Sequence, residues 1–449
     1  MMQMSELAQS VHGRIQGGDA LFSSVSTDTR SIQPGALFVA LSGPNFDGNA
    51  FVSRAAEKGA VGALVREDAA NAPLPTVAVD DTRAALGSLA ATWRGKQQAK
   101  IYAVTGSNGK TTVKEMLASI LALEETGIAT AGNLNNDIGM PLTLLRLRQG
   151  DAYAVLEMGM NHAGEIARLT DIARPDVALI NNAAAAHLEG LGSLENVARA
   201  KGEILQGLGA DGIAVLNADD AFFPLWKELA GARRIISFGL ADAADVSVSI
   251  ASSQSRALAG ERMRMRTPRG EVDIRLPLPG QHNVMNALAA AAAALAGGAS
   301  LEQIRQGLEN MQPVAGRLVV LTDVNGATIL DDSYNANPAS MAAALDVLAG
   351  YPGEKILVMG DMGELGEDSL EQHEQIGVLA KSKGVDRLLA VGEQSRLAVE
   401  AFGGGGRWFE DQTVLLAALQ PRLNNDTAVL VKGSRASRMD RISQKLIGE

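Results

Sequence analysis

The apolar run Ile101–Val104, the glycine-rich turn Thr105-Gly106-Ser107-Asn108-Gly109-Lys110-Thr111-Thr112 and the helix-like segment Val113–Leu123 follow one another without a break. No other stretch restricts the fold as much, because strand, glycine loop and helix in that order are the context a phosphate-binding loop requires. Glycines let the backbone bend round a phosphate, a helix N-terminus supplies unpaired N–H groups, and Lys110 adds a positive charge. Thr111 stands where a hydroxyl could hold the Mg2+ that accompanies a nucleotide. The core, Gly-x-x-Gly-Lys-Thr, is two residues shorter between its glycines than the common form. In a chain with 48 glycines such a hexamer can also be a plain strand–helix turn. The flanking strand and helix favour a nucleotide, ATP or GTP.

At 449 residues the chain is too long for one ordinary core. Forty Lys and Arg against 51 Asp and Glu leave a net charge of −11, which argues against a basic face for nucleic acid. There are no cysteines, so disulfides and thiolate chemistry are excluded and a reducing cytoplasm is the expected setting. Met1–Gly18 shows no basic region followed by an apolar core, and no apolar run reaches membrane-spanning length. Ala287–Leu295 is expected to be a buried helix opened by Asn283 or Asn286.

Apolar runs divide the chain into three α/β units, expected at 1–82, 83–313 and 314–449. The first carries strand-like Ala36–Leu41, Val61–Val65 and Thr76–Val79, with a helix at Phe51–Lys58. Arg83–Arg94 is a helix leading into the second. There, strands at Ile101–Val104, Tyr153–Glu157, Val177–Asn181 and Ile213–Asn217 alternate with helices, which predicts a mainly parallel sheet flanked by helices. Val246–Ser252, Met263–Thr267 and Val272–Leu276 alternate strictly and read as an antiparallel patch. The last unit repeats a Rossmann-like alternation, with strands at Thr328–Asp331, Ile356–Met359, Arg387–Val391 and Ala428–Val431. Gly403–Gly406 reads as a loop.

Ligands of open α/β sheets sit beyond the carboxyl ends of the strands. Glu157 closes such a strand and would face the phosphate loop, as a magnesium ligand or as a helix cap. His187 follows the next strand, although a lone histidine is more often structural. Lys201 lies among Ala198, Ala200 and Gly202, and by its sequence alone is an ordinary solvated helical lysine. Arg317, Asp331, Asp332, Asn335 and Asn337 gather after Gly316, either as a site or as turn formers.

Thr-Gly-Ser-Asn-Gly-Lys-Thr-Thr at 105–112 resembles the ATP loop of the Mur ligases of peptidoglycan synthesis, and the likeness extends over nearly the whole chain. Gly132-Asn133-Leu134-Asn135-Asn136-Asp137-Ile138-Gly139-Met140-Pro141, Asp331-Asp332-Ser333-Tyr334-Asn335-Ala336-Asn337-Pro338, Gly360-Asp361-Met362-Gly363-Glu364-Leu365-Gly366 and Lys432-Gly433-Ser434-Arg435 resemble the MurF type, which adds D-alanyl-D-alanine to UDP-N-acetylmuramoyl-tripeptide. The Asp-Asn-Pro-Arg motif expected of the third-residue-adding type is absent from the chain.

The resemblance implies a UDP-sugar site in the first unit, at Ser26, Thr27, Asp28, Thr29, Arg30, Asn45, Phe46 and Asp47. Asn49 stands where the family often has histidine. Asn133, Asn135, Asn136 and Asp137 would meet the peptide end of that substrate. Thr105 to Thr112 would hold ATP, with His282 and Asn283 beside the adenine and Arg317, Asp332, Asn335 and Asn337 on the third unit's edge. Thr111, Glu157, His187 and Lys201, the last as a carbamate, would hold Mg2+, and Lys110, Glu157, His187 and Lys201 would be the catalytic set. The implied protein is a monomeric cytoplasmic ligase of small molecules, acting through an acyl phosphate. Competing readings are another amide ligase of this architecture, such as a folylpolyglutamate synthase, and a nucleotide-switched binding protein. A switch would need neither the third-unit polar cluster nor a metal-binding lysine.

Overall fold

The computed structural model describes residues 1–43, 46–67, 72–184, 188–249 and 262–448. Its centre is a six-stranded sheet in the order 127–129, 153–157, 100–105, 177–180, 213–217, 234–238. Every neighbouring pair in it is parallel. Side chains of the central strand alternate between two cores, Ile101 and Ala103 on one face and Tyr102 and Val104 on the other. Helices Thr82–Gly95 and Glu165–Ala173 cover the first face; Lys110–Leu121 and the alanine-rich Gln281–Gly297 cover the second. A sheet buried on both faces accounts for the near-continuous apolar strands.

The alanine-rich helix begins earlier than expected. Gly280 caps it, and Asn283 and Asn286 lie inside its first turns. Asn283 does not serve the N-terminus; its Nδ2 bonds back to the Pro279 carbonyl at 2.7 Å. The antiparallel patch is three-stranded, Ser247–Ser249, Arg262–Thr267 and Gly270–Arg275. Residues 250–252 of its first expected strand lie outside the described residues.

The amino-terminal sheet runs 14–16, 76–79, 62–66, 36–39, 24–26, and the carboxyl-terminal sheet 319–322, 328–332, 427–432, 354–359, 387–391, 406–409. In each, one edge strand is antiparallel to an otherwise parallel set. The edge strands Arg14–Gln16, Val319–Thr322 and Gly406–Phe409 are short and only partly buried, so they lack the apolar run that marks central strands. Gly406 therefore belongs to a strand rather than to the expected loop. No helix among the described residues is long and apolar enough to cross a membrane.

Candidate functional site

The phosphate loop leaves the central strand at Thr105, whose hydroxyl is spent inside the protein on the Met158 carbonyl at 2.9 Å. Gly109 has φ 79°, and a Cβ there would stand 2.3 Å from Asn286 Oδ1 and 2.5 Å from Asn181 Nδ2. Both the left-handed backbone and the close approach demand glycine. Lys110 opens the helix and folds its Nζ onto the carbonyls of Gly106, at 2.8 Å, and Ser107, at 3.4 Å. Burial holds its pKa below the ordinary lysine value, while the Glu157 carboxylate opposes that shift.

Asparagines brace the loop from behind. Asn182 Oδ1 accepts the Asn108 N–H at 2.8 Å, and Asn181 Nδ2 donates to the Asn108 carbonyl at 2.9 Å. Asn181 Nδ2 also donates to Asn286 Oδ1 at 2.9 Å; Asn286 in turn donates to Asn283 Oδ1 at 3.2 Å, and Asn217 Nδ2 donates to the Asn181 carbonyl at 2.9 Å. Sequence reasoning passed over Asn181, Asn182 and Asn217 as site residues and read Asn286 only as a possible helix opener. The available signal was asparagine at the carboxyl ends of two parallel strands, where ligands of such sheets sit.

Glu157, 3% exposed, also ends its strand at this edge. Its Oε2 accepts the Thr111 hydroxyl at 2.9 Å and its Oε1 accepts Asn135 Nδ2 at 2.8 Å. Carboxylate and hydroxyl side by side suit Mg2+, which takes one or two carboxylates and fills its remaining positions from water and phosphate. Among the described residues no group of three or more His, Cys, Asp or Glu forms a protein-only cage. His187 lies outside the described residues. Lys201 is a buried residue near the end of the helix Leu194–Gly202, not a solvated one. Burial and the charge of Lys110 push its pKa well below the ordinary lysine value.

A cavity of about 1090 Å³ opens over the loop. Ser107 to Thr112, Asn133, Asn135, Asn136, Asp137 and Glu157 line it from the middle of the chain, together with His282 and Asn283. Arg317, Asp332, Asn335 and Asn337 line it from the last sheet. The two sides touch: Asn337 Nδ2 donates to Asn108 Oδ1 at 2.8 Å, and an Arg317 nitrogen to the Thr111 hydroxyl at 3.4 Å. Arg317 lies over the Tyr334 ring at 4.0 Å, and its Nε is buried with no partner among the described residues. Lys432 pairs with Asp332 at 2.5 Å and donates to the Asn335 carbonyl at 2.9 Å. Burial, more than any neighbour, lowers the His282 pKa.

Thr105, Gly106 and Lys201 do not line this cavity, and neither do the expected sugar-site residues. Asp28 is held to a pKa of about 2 by Arg30, and Ser26 Oγ accepts the Asp28 N–H at 3.2 Å. Asp47 is likewise held at about 2, chiefly by the Asn49 backbone and side chain and by Ser42. Asn49 thus ties Asp47 to the strand that carries Arg66, whose N–H its Oδ1 accepts at 3.2 Å. Thr29 is buried and Phe46 is exposed; Asn45 lies outside the described residues.

Three family models match in chain order: Mur ligase family, catalytic domain, at 21–94; Mur ligase middle domain at 104–294; and Mur ligase, glutamate ligase domain, at 316–435. The UDP-N-acetylmuramoyl-tripeptide–D-alanyl-D-alanine ligase of Escherichia coli strain K12 is 46% identical, over 99% of this chain and 98% of that protein. A crystal structure of MurF from Acinetobacter baumannii superposes with a TM-score of 0.90 at 37% identity, covering 99% of this chain and 98% of the other. MurF ligase from Thermotoga maritima in complex with ADP gives a TM-score of 0.84 at 28% identity, covering 96% and 98%. With matches over its full length and at each of its three sheets, the chain belongs to the Mur ligase family, as a member of the MurF type.

Proposed function

We propose that this protein joins D-alanyl-D-alanine to UDP-N-acetylmuramoyl-tripeptide, spending ATP and releasing ADP and phosphate. The full-length likeness to a ligase of that name at 46% identity carries the reading. The cavity supports it by bringing a phosphate loop and a second set of polar groups to one place.

ATP enters with its phosphates over residues 106–112. The loop N–H groups and Lys110 offset the charge of the transferring phosphoryl group. Arg317, whose buried Nε has no partner among the described residues and whose Nη2 reaches the Thr111 hydroxyl, meets the same phosphates from the last sheet. Thr111 and Glu157 are the residues that would hold Mg2+, which supplies charge neutralisation at the phosphates. The tripeptide carboxylate, a poor acyl donor, attacks the γ-phosphorus and becomes an acyl phosphate as ADP leaves. The amine of D-alanyl-D-alanine then attacks the acyl carbon, and phosphate departs. Closure of the last sheet over the loop, through contacts such as Asn337 to Asn108, excludes water from the reactive acyl phosphate.

Lys201 is the residue for a carbamate. Its depressed pKa favours the neutral amine that carbon dioxide requires, and the product is an anion that the charge of Lys110 would favour. Residues 26–30 and 46–47 would hold the UDP-sugar, away from the cavity itself. The protein acts as a monomer in the cytoplasm.

Phosphate release from ATP, measured with both acceptor and dipeptide and with each omitted in turn, tests the reading. Turnover should need both. Turnover without the dipeptide, or amide formation with a single amino acid instead, overturns it.

A further inference from the structure

A lysine that the steps above leave unused lies wholly inside the protein, behind the phosphate loop. Lys114, in the second turn of the helix Lys110–Leu121, has no exposed side-chain surface. An apolar side chain of that length would fill the same space without the cost of taking an ammonium out of water, so the charge calls for partners. Its Nζ donates to the Thr130 carbonyl at 2.6 Å and stands 2.7 Å from Oε1 of its neighbour Glu115, whose side chain is 40% exposed.

Thr130 stands where an edge strand of the central sheet stops. Gly127–Ala129 pairs in parallel with Tyr153–Glu157, and the Thr130 N–H continues the ladder to the Val155 carbonyl at 2.9 Å. The next rung of a parallel ladder would run from the Glu157 N–H to the Thr130 carbonyl. The Glu157 N–H goes instead to the Thr130 hydroxyl, at 3.0 Å, and the carbonyl left over is the one that Lys114 takes. Lys114 follows Thr111 by three residues and so shares its helix face. From that face the Thr111 hydroxyl holds the Glu157 carboxylate at 2.9 Å, while Lys114 holds the residue that fixes the Glu157 backbone.

We propose that Lys114 is a positioning residue for Glu157: by keeping the Thr130 carbonyl out of the ladder, it sets the level at which the Glu157 carboxylate stands beside Thr111. The proposal rests on the reading above of Thr111 and Glu157 as the residues that would hold Mg2+. Without the ammonium, the Thr130 carbonyl returns to the Glu157 N–H and the carboxylate shifts from its place beside Thr111. The loop N–H groups and Lys110 are untouched, so binding of the phosphates themselves survives. A partner one step behind a metal ligand acts in this way, through the ligand's orientation.

Calorimetry with a non-hydrolysable ATP analogue, in Mg2+ and in EDTA, gives for each protein the factor by which the metal strengthens binding. In K114M that factor should fall about tenfold, with affinity in EDTA unchanged. T130V, which removes the hydroxyl and keeps the carbonyl, should lower it to a similar extent. K114M/T130V should lose no more than the worse single variant, because both changes act on one contact. Thermal melts check folding, and K114Q, which removes the charge and keeps a donor, is read in the same way if K114M does not fold. An undiminished factor, equal losses in Mg2+ and in EDTA, or losses that add in the double variant would make Lys114 a packing residue and overturn the proposal. E157Q separates the two ways of failing: its factor should also fall, and a wild-type factor there sinks the Mg2+ assignment itself.

Discussion

Asn337 Nδ2 donates to Asn108 Oδ1 across 229 residues of chain, while Asn337 Oδ1 accepts the N–H of Ser340 at 2.9 Å and caps the helix Pro338–Ala349. One side chain thus starts a helix of the last sheet and holds the phosphate loop of the middle one.

These two duties can be separated. Asn337→Asp keeps the cap acceptor and loses the donor, so its melting temperature should stay within a few degrees of wild type while kcat falls about tenfold. Asn337→Ala loses both and should also cost about 1 kcal/mol of stability. Denaturant melts alongside steady-state rates check this, and an Asn337→Asp variant with wild-type kcat removes the contact from the closure argument.

Gly109→Ala puts a methyl group against Asn286 and Asn181 and forces φ 79° on an L side chain. The expected cost is about 2–4 kcal/mol, together with loss of ATP binding by calorimetry. Tight ATP binding by the variant would show that the loop can reshape.

Glu157→Gln presents an amide to both Thr111 and Asn135, in place of the carboxylate that now accepts from each. The expected loss in kcat is on the order of 100-fold, with a raised Mg2+ requirement in a metal titration. An unchanged Mg2+ requirement would move the metal role elsewhere.

Lys201→Ala should lose most activity, and added short carboxylates should partly restore it; full activity would make Lys201 an ordinary helix residue. Stability carries a second sign. A lysine pKa depressed by folding means the unfolded chain binds the extra proton, so wild-type stability rises with pH through this window. In bicarbonate-free buffer, Lys201→Met should therefore be more stable than wild type at pH 7. The gap should close as pH approaches the ordinary lysine value of about 10.4.

His282 behaves in the same sense at lower pH. Burial depresses its pKa, so below about 6.5 the unfolded chain takes a proton that the folded chain resists, and stability falls. Urea melts at pH 7.5 and 5.5 should show a larger loss for wild type than for His282→Gln. Equal losses would mean that other groups carry the acid sensitivity.

Inner strands such as Tyr153–Glu157 and Arg387–Val391 were legible in the sequence to within a few residues, whereas Gly127–Ala129 and Arg234–Phe238, the two edges of the central sheet, were missed. Edge strands such as Arg14–Gln16 were not legible either, because half-exposed residues carry no apolar run. The phosphate loop was legible because its glycines answer to local backbone geometry.

Sequence by itself determined the plan of three α/β units, the loop at 105–112 and the family, since apolar period, glycine φ and motif order are properties of short windows. Only tertiary structure decided that Lys201 is buried within the field of Lys110, that Asn108, Asn181, Asn286 and Asn337 meet at one loop, and that Arg83 and Arg168 share Asp137. Burial and charge pairing depend on what distant segments bring to the carboxyl edges of parallel strands, and no local pattern encodes that meeting.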